Sequence, residues 1–140
     1  MKNDKTDNHE QIFWEEIDRL FPDMIKAIAS LSKKSYLSIT NLRTGITWWS
    51  ERAMDYFGMK ENYTIRGMEK ANRKIHPDDV ATFKRGFKER VDGKNLDTAW
   101  EYRIQDGDSY NRFNAMARVL YDEQKQPFII IIRYDNYGIS

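Results

Sequence analysis

Ile75-His76-Pro77-Asp78-Asp79 is the stretch on which the reading of this chain turns. Proline, with φ fixed, suits the first position of a helix, where a backbone N–H has no partner to lose. Two aspartates follow in the first turn, where negative charge meets the positive end of the helix dipole. Val80, Phe83, Phe87 and Val91 then recur on one face, and Asp92-Gly93 ends the pattern. These signals predict a helix over residues 77–91 with His76 at its cap. His76, Pro77, Asp78 and Asp79 are therefore read as a structural motif. At this spacing the three potential ligands do not converge, and His9 is the only other histidine, so no metal site is expected.

Downstream the period changes to two. Trp100, Tyr102 and Ile104 share one face of a strand; Glu101 and Arg103 share the other, expected as a salt-linked outer surface. Asp106-Gly107-Asp108 turns the chain into a strand over 110–121. A turn over 122–127 leads to a strand from Phe128 to Tyr134, whose Ile129–Ile132 run predicts burial on both faces. Upstream, Tyr36–Asn41 alternates, Arg43-Thr44-Gly45 turns, and Ile46–Ser50 returns as a hairpin. Ser50 is expected to cap a short helix over 51–56, with Gly58 as its stop. Residues 59–75 hold short helical pieces of unfixed bounds.

The N-terminal part reads differently. Residues 1–7 are polar and expected to fray. Asn8 is the expected N-cap, with Gln11 as its capping-box partner. Ile12, Phe13, Ile17, Leu20, Met24 and Ile28 follow helical spacing, interrupted at Pro22, which gives two helices over 9–20 and 22–33. That stripe exceeds what a short helix needs to lie on its own domain. Pairing with a second copy is expected to bury it, with folding back on the chain's own sheet as the alternative.

Composition removes several classes. A chain of 140 residues suits one core, and 40% hydrophobic content argues against disorder. A net charge of +1, with acids and bases interspersed, leaves neither a nucleic-acid footprint nor a polybasic membrane patch. Without cysteine there is no disulfide, thiolate metal site or cysteine nucleophile. No apolar run reaches the roughly 20 residues of a membrane span, and Met1–Asn8 lacks the apolar core of a signal peptide. A cytoplasmic location is expected. No phosphate-binding glycine loop, nucleophile elbow or zinc-protease signature is present.

The element order is helix–β–β–short helices–helix–β–β–β. It predicts an α+β fold: a five-stranded antiparallel sheet with helices on one face, preceded by N-terminal helices. The first strand should pair with the last, which protects its edge. Trp49-Ser50, Phe57-Gly58, His76-Pro77-Asp78-Asp79, Glu101-Tyr102-Arg103 and Asp106-Gly107 stand in the order and spacing of a PAS domain. From Tyr36 to Asp135 the chain resembles that family. The resemblance implies a sensor and dimerisation module of bacterial signalling, as found before output domains such as GGDEF diguanylate cyclases. A diguanylate cyclase is the first expectation for the output domain and a histidine kinase the second. Residues 1–34 would be tail and helical extension, 35–137 the PAS domain, and 138–140 the start of a linker. Asp135-Asn136-Tyr137 departs from the family's "D-I-T" at that point. The chain itself is not expected to be an enzyme. Two rival readings stand: a ligand-free interaction module, and a small cup-shaped enzyme for which Asp97 and Tyr102 are the available pair.

The candidate ligand pocket comprises Trp48, Phe83, Phe87, Trp100 and Tyr102, with Ala115 and Ala117 on the facing strand. Small side chains at those two positions either leave room or admit bulky neighbours. The family often places an aromatic after "D-G-x-Y"; here Phe113 stands one register later. No cofactor is expected. Haem commonly takes an axial histidine in or near the long helix, and none follows His76 there. A cysteine-linked flavin is excluded, whereas a noncovalent flavin or another small molecule stays open.

Overall fold

The computed structural model describes residues 5–139. Residues 1–4 of the expected polar tail and Ser140 of the expected linker lie outside the described residues. The elements are α1 (Lys5–Trp14), α2 (Ile17–Leu20), α3 (Met24–Leu31), β1 (Leu37–Asn41), β2 (Ile46–Trp49), α4 (Glu51–Phe57), β3 (Tyr63–Ile65), α5 (Gly67–Asn72), a 3-10 turn at Pro77–Asp79, α6 (Val80–Val91), β4 (Trp100–Asp106), β5 (Ser109–Tyr121) and β6 (Pro127–Ile139).

One antiparallel sheet carries the fold, in the order β3-β2-β1-β6-β5-β4. The expected pairing of first and last strands is present: Ser38 lies opposite Ile132 and Thr40 opposite Ile130. Among the described residues the sheet has six strands instead of the five expected. The extra one, β3, sets Ile65 opposite Ile46 on the edge of β2. Three residues are too few to show a period of two.

Among the described residues the N-terminal part contains three helices, not two. Asn8 lies inside α1, so it is not the cap that the sequence suggests. A break at Phe21–Asp23 contains Pro22, and Asp23 takes the left-handed conformation with φ 64° before α3 begins. α4–α6 share one face, as expected, and the N-terminal helices take the alternative given for them, folding back on the chain's own sheet. α1–α3 cover the outer face, where Phe13, Ile17 and Ile25 are fully buried with Ile39, Trp48, Phe128 and Ile129. Burying each such side chain contributes about 1.5–3 kcal/mol, enough to hold this layer on its own sheet. Most of the proposed dimer stripe is thereby used within the chain. Phe13 and Ile17 are buried, Leu20 and Ile28 are partly so, and Ile12 and Met24 remain exposed at 43% and 42%. Arg43 fastens this layer: it pairs with Glu16 between α1 and α2 and with Asp122 in the β5–β6 turn.

The concave face holds α4, α5 and α6. Ser50 caps α4, its side chain accepting from the Ala53 N–H at 3.3 Å, and Gly58 closes that helix with φ 69°. The helix expected over 77–91 is present with its first turn tightened to 3-10. β6 is central and buried on both sides. Ile130, Ile132 and Tyr134 face the concave core, while Ile129 and Ile131 face the helical layer.

Candidate functional site

In a twisted sheet backed by α4–α6, the concave core is where a small molecule would lodge. Phe83 stands at its centre, 4.9 Å from Tyr102, 6.1 Å from Trp100 and 6.0 Å from Phe87, measured between ring centroids. Phe83, Trp100 and Tyr102 are buried there; Phe87 is half-buried at the margin. Trp48 does not join them. Consecutive strand residues point to opposite faces, and it is Trp49 that enters the concave core, 5.0 Å from Phe57. Trp48 lies under the N-terminal helices. Phe113 is fully buried against Tyr36 and Tyr56, at 5.8 and 5.2 Å.

Ala115 lies opposite Trp100 on one side and Tyr134 on the other, and Ala117 opposite Ile132. The small side chains admit large neighbours and leave little room. The recess lined by Phe57, Ala71, Ile75, Phe83, Tyr102, Ile104 and Tyr134 measures about 10 Å³. That is close to the least that holds one water.

Donors outnumber acceptors among the buried polar groups left without partners. The indole N–H groups of Trp49 and Trp100, the Tyr102 hydroxyl and the Arg90 Nε–H are buried without hydrogen-bond partners among the described residues. Each can donate, and the Asn72 side-chain oxygen is likewise buried without a partner, so four donors stand against one acceptor. Burial pushes the Tyr102 phenol well above its ordinary value, and nearby Tyr134 adds to this while Arg90 opposes it. Tyr134 is also raised by burial, although the Ser38 hydroxyl lies 3.1 Å from its own. Burial raises Tyr56 to about 12; it donates to the Ile104 carbonyl and receives a bond from the Asn111 amide. Arg90 stacks 4.0 Å over the Trp100 ring and donates to the Gly86 carbonyl, and burial lowers its pKa.

His76 to Asp79 do structural work. The His76 Nδ1 accepts from the Asp78 N–H at 3.1 Å, a side-chain cap. The segment from Lys74 to Asp79 also runs along the open edge of β4. The Gln105 N–H donates to the Lys74 carbonyl, the His76 N–H to the Arg103 carbonyl, and the Arg103 N–H to Asp79. Glu101 pairs with Arg112 at 3.1 Å, as a sheet-surface residue should. Arg103 departs from the expected salt-linked surface and turns to Asp79, which lies beyond that edge. The Arg103 hydrogen bonds hold the Asp79 carboxyl below the usual range. Asp97, on the surface, pairs with Arg118, while Tyr102 is enclosed. The structure keeps this pair apart. Among the described residues no three His, Asp or Glu side chains come together.

Comparison with known proteins bears on the whole of this arrangement. A family model described as the PAS fold matches residues 46–132. No curated protein sequence matches the chain. Among solved structures, the chain is similar to a sensory box histidine kinase/response regulator from Burkholderia thailandensis, with 16% identity, 80% of this chain and 83% of that chain covered, and a TM-score of 0.61. A PAS domain from Colwellia psychrerythraea matches with 18% identity, coverage of 83% and 98%, and a TM-score of 0.60. The N-terminal domain of a diguanylate cyclase with PAS/PAC sensor from Marinobacter aquaeolei matches with 15% identity, coverage of 73% and 94%, and a TM-score of 0.59. At such identities these likenesses speak for the fold alone. With the family match spanning more than half of its length, and with this sheet and concave core, the chain belongs to the PAS-fold family.

Proposed function

We propose that this chain is the regulatory module of a bacterial signal-transduction protein and biases a C-terminal output domain. A diguanylate cyclase is the first reading of that domain and a histidine kinase the second. Similar solved structures bear both names, which supports the reading without choosing between them. The observation that carries the proposal is the place of Tyr134. It sits on β6, packs 5.6 Å from Phe57 in the concave core, and lies on the strand that leads towards the C-terminus. Whatever enters the core meets the strand that would transmit the change.

The signal is a population shift. Four unpaired donors favour a ligand rich in acceptors. A cavity of about 10 Å³ means that anything larger than water enters by displacing a side chain such as Phe83 or Tyr102. Binding and movement of α6 or β6 then become one event. The same small volume favours the second reading, a ligand-free interaction module. We place the module in the cytoplasm as a homodimer that contacts neither nucleic acid nor membrane. Among the described residues no helix is long and apolar enough to cross a membrane. The exposed Ile12 and Met24 would supply the dimer contact.

Native mass spectrometry of the purified chain tests this directly, because it reports bound molecules and oligomeric state together. A retained small molecule supports sensing. A ligand-free dimer, broken by Ile12→Asp with Met24→Lys, supports the interaction module. A ligand-free monomer at tens of micromolar sinks both forms, since a standard-sized interface holds at that concentration.

A further inference from the structure

β6 outlasts the strand beside it. Its pairing with β1 stops at Leu37 and Arg133, with one further bond from the Tyr134 N–H to the Tyr36 carbonyl at 2.9 Å. Its pairing with β5 runs on to Ile139, which lies opposite Asn111. Among the described residues, 135–139 therefore have a strand on one side only. Residues 32–35 turn instead of extending β1, the Ser35 N–H donating to the Ser32 carbonyl at 3.0 Å. Backbone groups along a strand face its two neighbours alternately. The Asn136 N–H and C=O thus turn to the side of the Tyr134 N–H, where β1 has ended. The usable edge is short. Beyond Asn136 the register with β5 shifts, Gly138 takes φ 87°, and its N–H donates to the Asn136 side-chain oxygen at 2.8 Å.

The vacant strand position is an open recess of about 540 Å³, bordered by Lys34, Tyr36, Arg52, Arg133, Asp135 and Asn136. Three cations stand there against one carboxylate. Arg133 pairs with Asp135 at 3.2 Å. Lys34 and Arg52 form no ion pair among the described residues. Arg52 is nonetheless fixed: it stacks 4.7 Å over the Tyr36 ring and donates to the Lys34 carbonyl at 3.3 Å. The cations also flank both faces. Tyr36, under Arg52, packs on the concave core, whereas Arg133 alternates with the inward Ile132 and Tyr134 and so projects from the outer face.

We propose that this edge takes up a short, extended, acidic segment of a partner protein, which adds as a strand beside Asn136. Main-chain bonds set its register, and the cations set its charge. Consecutive residues of an added strand point to opposite faces, so neighbouring carboxylates would meet Arg52 on one face and Arg133 on the other. A basic segment would find only Asp135, already engaged. The site is separate from the concave core and needs no molecule bound there.

The test uses the full chain labelled with ¹⁵N and titrated with the acetylated, amidated peptide Val-Glu-Glu-Glu-Val. Val-Lys-Lys-Lys-Val reverses the charge, a fully N-methylated acidic peptide keeps the charge but cannot donate to the sheet, and inorganic phosphate is the free anion. The acidic peptide should shift the Tyr134, Asn136 and Gly138 amide signals saturably, and more weakly as salt rises. Lys34→Gln with Arg52→Gln should weaken it about ten-fold at an unchanged melting temperature, each surface charge contributing about three-fold. Lys34→Gln alone, at an exposed position, should show its three-fold share even where the double variant unfolds. The proposal is overturned if the acidic peptide moves none of these signals at millimolar concentration. It fails equally if the lysine or N-methylated peptide binds as well, or if phosphate at equal concentration displaces the peptide. A response of the Trp49 and Trp100 indole signals instead would place the peptide in the concave core and sink the edge site. Movement of the edge signals on diluting the protein alone would give the edge to a second copy, and is also fatal.

Discussion

The Asp79 carboxylate takes three hydrogen bonds from Arg103: the backbone N–H at 2.8 Å, Nε at 2.9 Å and Nη2 at 3.0 Å. One side chain at the start of α6 thereby fastens the helix to β4 and occupies an edge donor that would otherwise invite another strand. Because the folded state binds the ionised form more tightly, the stability it contributes is complete above the unfolded aspartate value of about 4 and is lost as pH falls through the depressed folded value. Asp79→Asn should cost about 1–2 kcal/mol at pH 7, discounted for partial exposure. In urea melts the gap from wild type should shrink at pH 3. An equal gap at both pH values would show that charge is not the source.

Gly86 lies in α6 facing Trp100. A Cβ there would fall 2.8 Å from Trp100 Cδ1 and 2.9 Å from its Nε1. Replacing a helical glycine by alanine ordinarily stabilises by up to about 1 kcal/mol. Here the sign should reverse, with Gly86→Ala losing about 1–3 kcal/mol as the indole is displaced. Tryptophan fluorescence and thermal melts would register both effects; a more stable variant contradicts the packing described.

Tyr102→Phe removes a buried hydroxyl that has no partner among the described residues. The change should be neutral or stabilise by about 1 kcal/mol, since an unsatisfied group costs free energy on burial. Above about pH 10 the unfolded chain releases this phenolic proton while the folded chain retains it, so wild-type stability falls there. The variant should lose less of its stability between pH 9 and 11. A clear loss at pH 7 would show that the hydroxyl meets an acceptor in solution.

Phe83 and Phe87, neighbours on α6, should respond unequally. Phe83→Ala empties the centre of the core and should cost about 3–5 kcal/mol. Phe87→Ala, at the margin, should cost about 1–2 kcal/mol. Equal losses in denaturant titrations would contradict this placement.

Local signals in the sequence carried the local structure. Ser50 and Gly58 bound α4, His76 caps the turn before α6, and the alternation of Trp100, Tyr102 and Ile104 marks the inner face of β4. What was illegible depended on the third layer. With α1–α3 on the outer face, β1 and β2 are buried on both sides, and an alternating pattern no longer distinguishes inside from outside. That is why the sequence pattern does not separate Trp48, under the outer helices, from Trp49 in the concave core. Asp79 and Arg103 were each visible in their motifs, but nothing local joins a helix start to a strand edge. Nor does a sequence report volume: whether Ala115 leaves a cavity or seats Trp100 and Tyr134 depends on the rotamers of its neighbours.

The central position of β6 also governs how the molecule is made. β1 to β3 and β4 with β5 are hairpin units whose residues are near in sequence, but each exposes an unpaired edge until β6 slots between them. A ribosome making this chain has delivered every helix among the described residues before residue 127 emerges, and neither hydrophobic layer is yet sealed. Closing the sheet means bringing Ser38 to Ile132, a long loop whose entropy is met only at that moment. The interval before it is when the nascent chain most needs protection from strand exchange with its neighbours.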